Sequence, residues 1–158
     1  MDRDQMFRLF TAHRAAEAAR DVPSILATFT EDCFLDTVPL GLRSQGKPAT
    51  RAAYESLFAA FPDLAPEDTG IAYGDDVLVV WGTLQGTSRG QWLGLPPGGG
   101  AFTVPFANVV PFRNDLMAGE TLYFDLASVC AQAGLDLDHL RTAAAAAAAS
   151  AGPPKAAP

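Results

Sequence analysis

The sequence predicts an α+β domain, in which three N-terminal helices and a curved antiparallel sheet form a cone around an apolar pocket. Three observations predict it. Apolar residues recur at three- and four-residue steps as far as Phe61, the period of amphipathic helices. From Gly70 to Phe124 the pattern changes to alternation, with turn residues between the runs. The chain has 158 residues, 49% hydrophobic and 18% charged, which is enough apolar material for one core.

The elements follow in order. A first helix is expected from Asp4 to Arg20, with Met6, Leu9, Phe10, His13 and Ala16 on one face. Asp21 reads as an N-cap and Pro23 is tolerated in the first turn, so a short second helix ends near Phe29. Cys33 to Val38 read as a strand. GKPAT, with Pro48 early, opens a third helix whose apolar side carries Tyr54, Leu57, Phe58 and Phe61, and Pro62 stops it. Gly70–Tyr73 and Val77–Ser88 form a hairpin about Gly74-Asp75-Asp76. Gln91–Leu93 read as a short strand and GLPPGGG (94–100) as a long flexible turn. Phe102–Arg113 and Met117–Phe124 are strands joined at Asn114-Asp115, and a short helix after Asp125 stops at Gly134. Pro105 and Pro111 point to a sheet edge or a bulge, because proline cannot donate to a ladder. The domain is expected to span residues 1–141. Residues 142–158, with alanines from Ala143 to Ala149 and then SAGPPKAAP, read as a disordered tail lacking any large side chain to dock.

Composition narrows the function. A net charge of −7 repels phosphate backbones, so no nucleic-acid partner is expected. Two cysteines, Cys33 and Cys130, make no disulfide framework, and with two histidines they show no metal-ligand spacing; no metal or cofactor is expected. No apolar run approaches the ~18 residues of a membrane span, and MDRDQMFRLF has no signal-peptide pattern. A cytoplasmic protein without a membrane partner is the expectation.

Three segments resemble one family. FTEDCFLDTVPLGLRSQGKPATRAAYESLFAAFPDL, VLVVWGTLQGTSRGQWLGLPPGGGAFTVPFANVVPF and GETLYFDLASVCAQAGL are similar to the SnoaL-like polyketide cyclases, within the nuclear-transport-factor-2-like and ketosteroid-isomerase-like superfamily. The resemblance covers roughly residues 5–136 and is carried by F-x-x-D at a strand start, GxxxTRAAY, GT-x-x-G ahead of GLPP, and YFDL. It implies the cystatin-like α+β barrel. It also implies cofactor-independent chemistry on a small hydrophobic carbonyl compound, in which a base removes a proton and hydrogen-bond donors hold the enolate. The superfamily commonly pairs through its open sheet face, which implies a homodimer.

Candidate site residues follow. His13 lies on the apolar stripe of the first helix, and the resemblance puts it where the isomerases carry an oxyanion-binding tyrosine. Asn108 interrupts the apolar VPFANVVPF, at the position similar to their protonated aspartic acid. His13 and Asn108 thus form a candidate oxyanion pair. The candidate bases are Asp36 and Asp125. Many relatives have their carboxylate one residue after Asp36, so Asp36 reaches the pocket only if a bulge follows Phe34 or Leu35. Asp125 reads equally as a helix N-cap. Glu120 alternates with Leu122 and Phe124 and faces away from Tyr123 and Asp125, but the inner face is not readable. Ser88 stands where many relatives have histidine. Phe34, Phe58, Trp81, Trp92, Phe106 and Tyr123 are candidate pocket walls for a flat apolar ligand. The leading expectation is a cyclase- or isomerase-type enzyme. The alternatives are a non-catalytic binding or dimerisation module, and an epoxide or ester hydrolase.

Overall fold

Four aspartates start helices by the same device. The Asp2 side chain accepts from the Gln5 N–H, Asp21 from that of Ser24, Asp125 from that of Ser128 and Asp136 from that of His139. Each satisfies a donor that the first helical turn leaves without a partner. In the computed structural model, which describes residues 1–151, these caps open α1 (Arg3–Ala18), α2 (Val22–Ala27), α4 (Leu126–Ala133) and α5 (Leu137–Ala151). The remaining α-helix is α3 (Gly46–Ala60), and the strands are β1 (Phe29–Thr37), β2 (Leu42–Gln45), β3 (Ala65–Gly74), β4 (Val77–Thr87), β5 (Ala101–Arg113) and β6 (Leu116–Phe124).

The strands form one sheet in the order β2-β1-β6-β5-β4-β3, curled but unclosed. Neighbours are antiparallel except β1 and β6, which run parallel. The fold class is the α+β cone that the sequence predicts, with this one parallel pair added. Along β5, Phe102, Val104, Phe106, Asn108, Val110 and Phe112 are buried in strict alternation and face the helices. The proline signals resolve separately. Pro111 sits in the register shift between Val109 and Phe112. Pro105 lies beyond Phe106, the last β5 residue paired to β6.

That register shift decides which residues enter the cone. From Val109 to Phe112 three steps along β5 match four along β6, from Thr121 back to Met117. The extra residue changes the phase of β6, so Met117 and Glu120 both turn inward.

Three sequence expectations are corrected. Residues 94–100 form a pinned closure rather than a flexible turn. The Gly98 N–H donates to Ser88 Oγ, Ser88 and Gly100 bond through the backbone, and the Gly100 N–H reaches Ala133 O. A Cβ on Gly98 would lie 2.1 Å from Ala133 O, so only glycine allows this approach. The segment also carries Trp92 into the cone, where its ring meets Phe61 edge-on at 4.9 Å. Gln91–Leu93 is not a strand; Trp92 forms only an isolated bridge to Leu95. The expected tail is helical over residues 142–151, as the end of α5. Leu140 and Ala144 are buried where α5 meets β2, the turn at Val38–Leu40 and α4, so small alanine side chains are what allow the helix to dock. Residues 152–158 lie outside the described residues.

Gly98→Val should destabilise the domain by about 2 kcal/mol, since backbone rather than a movable side chain blocks the new atoms. Urea denaturation measures it; an unchanged midpoint would mean the loop does not need this approach.

Candidate functional site

The cone encloses a cavity of about 410 Å³ between α1, α3 and the inner sheet face. Phe58, Phe61, Trp92, Phe102, Phe106 and Phe124 supply an aromatic wall. One end is polar and is assembled from four separate elements. His13, Arg14 and Glu17 come from α1, Tyr54 from α3, Asn108 from β5 and Glu120 from β6.

His13 is fully buried, and its protonation can be read from its partners. Thr28 Oγ donates to Ile25 O at 2.7 Å, so its only hydrogen is engaged. The 2.8 Å contact between Thr28 Oγ and His13 Nδ1 is therefore donated by the imidazole, which fixes a proton on Nδ1. Nε2 faces two carboxylates, Glu17 Oε1 at 3.5 Å and Glu120 Oε1 at 3.7 Å. Burial disfavours a charged ring here, but Glu120 and Glu17 outweigh it and lift the His13 pKa from 6.5 to about 10. The ring is an imidazolium at neutral pH.

The carboxylates are held in turn. Tyr54 Oη donates to Glu120 Oε2 at 2.6 Å and lies 3.1 Å from Glu17 Oε1. Its single hydrogen serves the shorter contact. Asn108 Nδ2 donates to Glu120 Oε1 at 2.7 Å. Arg14 bonds Glu17 at 2.7 Å and Asp68 at 3.3 Å, and its guanidinium lies 4.7 Å from the Phe10 ring centroid. Burial alone would raise both glutamates. His13 overrides it and holds Glu120 below its ordinary range, and His13 with Arg14 does the same for Glu17. The Tyr54 phenol is pushed well above its ordinary value by burial, then by the Glu120 and Glu17 charges.

His13, Glu17 and Glu120 are the group among the described residues whose ligand atoms lie within 4.8 Å of one another. Their lone pairs already meet hydrogens from Tyr54, Asn108 and Arg14. The charge balance comes from an imidazolium and a guanidinium, and a metal ion would have to displace them.

The expected site residues separate into three groups. Phe58, Trp92, Phe106 and Asn108 line the cavity. His13 does not; it lies behind Glu17, Tyr54 and Glu120. Asp36, Asp125, Phe34, Trp81 and Tyr123 are elsewhere, which corrects their assignment. The irregularity in β1 falls between Phe29 and Phe34, before the position Asp36 needs. Leu35 and Thr37 therefore face the cavity, and Asp36 points out to its cross-strand neighbour Arg43 at 3.5 Å. Phe34 shares that outer face, with the Arg43 guanidinium 4.0 Å from its ring centroid. Trp81 and Tyr123 are 45% and 46% exposed on the same face. Asp125 is the α4 cap, its carboxylate taking both the N–H and the hydroxyl of Ser128, which hold its pKa down. The oxyanion pair is also corrected, since His13 does not line the cavity; one of the two Asn108 amide hydrogens goes to Glu120.

Glu17, Tyr54 and Glu120 were not among the sequence candidates for chemistry. Signals for them existed. Glu17 is one helical turn after His13, Tyr54 sits in an apolar stripe, and Glu120 is the charged member of an otherwise apolar strand face.

The fold is thus a cone with a cluster of charged groups at one end of an aromatic cavity. The chain belongs to the SnoaL-like polyketide cyclase family, whose family model matches residues 8–133. Its fold is similar to a candidate SnoaL-like polyketide cyclase from a Jannaschia species, with TM-score 0.76 and 21% identity over 86% of this chain and 99% of that one. IdmH, a candidate polyketide cyclase from Streptomyces antibioticus, aligns with TM-score 0.67 and 17% identity over 81% and 97%. A protein with a ketosteroid-isomerase-like fold from Catenulispora acidiphila, in complex with trimethylamine, aligns with TM-score 0.72 and 21% identity over 82% and 95%. No curated protein sequence matches the chain. No helix among the described residues is long and apolar enough to cross a membrane.

The cluster makes stability depend on pH. His13, raised from 6.5 to about 10, stabilises fully below 6.5 and loses that contribution as pH climbs through 10. Glu17 and Glu120, held below 4.5, contribute above 4.5 and lose it on acidification. His13→Gln should therefore cost about 3 kcal/mol near pH 6, a gap that narrows towards pH 10. Urea denaturation at both pH values checks this; an equal gap would rule out the imidazolium as the stabilising species.

Proposed function

We propose that this protein is a cofactor-independent cyclase- or isomerase-type enzyme acting on a small hydrophobic carbonyl compound, with Glu120 as the base. The family and the fold support the class of reaction. The observation that carries the assignment is Glu120 itself, an ionised carboxylate 3% exposed at the polar end of an aromatic cavity. A C–H beside a carbonyl gives its proton to Glu120, and the electron pair moves onto the carbonyl oxygen. Protonation makes Glu120 a weaker acceptor, and the Tyr54 hydroxyl then turns to the enolate oxygen. For ring closure the enolate carbon attacks a second carbonyl of the same molecule, and the new alkoxide takes the proton that Glu120 holds, which restores the carboxylate. For isomerisation Glu120 returns its proton to a different carbon.

The cluster behind supplies position. His13 keeps Glu120 ionised, and Asn108 and Tyr54 fix the direction of its two oxygens. Asp36 and Asp125 take no part. Glu120→Gln should lower turnover by about a thousandfold with folding preserved, while Asp36→Asn and Asp125→Asn leave it within about twofold of wild type. Steady-state kinetics on a dicarbonyl substrate tests this; full activity in Glu120→Gln removes the proposed base. The alternative, a non-catalytic binding module, is favoured by one feature: both Glu120 oxygens already accept hydrogen bonds. It predicts binding of aromatic ligands to wild type without turnover of any enolisable compound.

The reading includes a homodimer formed through the outer sheet face, where Trp81 and Tyr123 stand exposed. Light scattering should give twice 16.6 kDa, and Trp81→Glu the single mass. A wild-type monomer would overturn it.

A further inference from the structure

Proton transfer to Glu120 moves a negative charge onto a ligand oxygen, and a cation beside that oxygen would hold it. Three cations stand in or behind the cavity wall, His13, Arg14 and Arg20, and three carboxylates accompany them, Glu17, Asp68 and Glu120. His13 is buried behind Glu17, Tyr54 and Glu120. Arg20 is engaged with backbone, donating to Pro62 O, Leu64 O and Glu17 O. Arg14 differs from both. A guanidinium carries five N–H groups. Nη1 of Arg14 donates to Glu17 Oε2 at 2.7 Å, and Nη2 and Nε reach Asp68 at 3.3 and 3.4 Å. One hydrogen on each Nη is left without a protein acceptor among the described residues. The Arg14 side chain lines the cavity and is 17% exposed, whereas Tyr54 and Asn108 are each 2% exposed. Its guanidinium lies 5.8 Å from the ring centroid of Phe106, a wall residue. Contacts of 2.7, 3.1 and 2.6 Å lead from Arg14 through Glu17 and Tyr54 to Glu120, so the guanidinium and the base share one end of the cavity.

We propose that Arg14 is a further catalytic residue, whose free Nη hydrogens donate to the carbonyl oxygen of the ligand and hold it as it becomes an enolate. The proposal rests on the reading of Glu120 as the base and deepens it by naming the cation that meets the displaced charge. The C–H proton goes to Glu120 and the bonding pair ends on the carbonyl oxygen, so one carboxylate becomes neutral as one oxyanion forms. The three cations then accompany two carboxylates and the oxyanion, and the total charge of the site is unchanged. Arg14 needs no rearrangement to take part, because Glu17 on α1 and Asp68 on β3 hold it from two elements. Tyr54 must leave Glu120 before it can donate. A charged donor fixed in an apolar site is worth more to a developing oxyanion than the same donor in water. The arrangement also sets a sign. A neutral carbonyl compound suits the site while Glu120 is ionised, and an anion suits it once Glu120 is uncharged.

The test uses 4-nitrophenol, a flat probe whose phenolate absorbs at longer wavelength than the phenol, and Glu120→Gln, which stands for the protonated base. Absorbance near neutral pH reads the ratio of ionised to un-ionised probe when bound. In Glu120→Gln that ratio should exceed the free-solution ratio about tenfold, the shift expected of one charge-assisted hydrogen bond. In wild type it should fall below the free-solution ratio, because the Glu120 charge opposes a second anion. Adding Arg14→Gln to Glu120→Gln should abolish the preference for phenolate. Adding Arg20→Gln instead removes an equal charge from the same cavity and should keep most of it. No preference in Glu120→Gln, or one as large in wild type, would overturn the proposal and leave Glu120 to be judged by its own kinetics. Equal losses in the two arginine variants would overturn the Arg14 contact, since net charge alone would then account for the result. If the Arg14→Gln combination does not fold, Arg14→Lys replaces it, keeping the charge without the fork; a preference that it leaves undiminished would overturn the contact. Absence of binding to every folded form would overturn the cavity reading as well.

Discussion

The buried ion cluster of His13, Glu17 and Glu120 is the constraint on which the remainder of the site depends. Two carboxylates in an apolar interior would each take up a proton if left alone. The imidazolium between them, with Arg14 behind Glu17, is what keeps them charged. Thr28 completes the arrangement from outside the cavity. By giving its own hydrogen to Ile25 O it accepts only from Nδ1, so the ring is oriented with Nε2 towards the carboxylates. Breaking such a cluster from one side leaves an unpaired buried charge, which makes it a fixed point of the fold as well as of the site.

The sheet contributes phase. One extra residue in β6 turns Glu120 inward, and the regular pairing of β1 from Phe34 onwards turns Asp36 outward. A strand has period two, so each of these facts is a choice between faces with no intermediate. The carboxylate of the site thereby comes from the last strand, and Asp36 becomes a cross-strand partner for Arg43 on the outer face. Ser88 and the glycines at 98 and 100 hold the closure that brings Trp92 into the cavity wall, so this part of the wall and Glu120 are fixed by separate parts of the chain.

Much of this was legible from sequence, for physical reasons that differ by element. The helix starts at Asp21 and Asp125 were readable because a cap is a local hydrogen bond between residues three apart. The alternation of Glu120, Leu122 and Phe124 was readable because side-chain period is local too. Which face of β6 looks inward was not, because a register shift against β5 decides it and that pairing is non-local. The same holds for Asp36, whose facing depends on where β1 meets β6. His13 stood out as a polar residue on an apolar stripe, but its role depends on Glu120, far away in sequence. The alanine helix was misread because burial was judged from side-chain size. A close-packed surface accepts alanine where a larger residue would not fit.

The cluster also bounds the chemistry. Every neighbour that keeps Glu120 ionised also weakens it as a base: His13 by its charge, Tyr54 and Asn108 by hydrogen bonds to the anion. A base of low proton affinity transfers a proton efficiently only from a comparably acidic donor. A C–H activated by a single carbonyl is far less acidic than that; one flanked by two carbonyls, as in a β-dicarbonyl chain, is much closer. On the proposed reading, a carboxylate held below its ordinary range thus favours a carbon flanked by two carbonyls over one beside a single carbonyl.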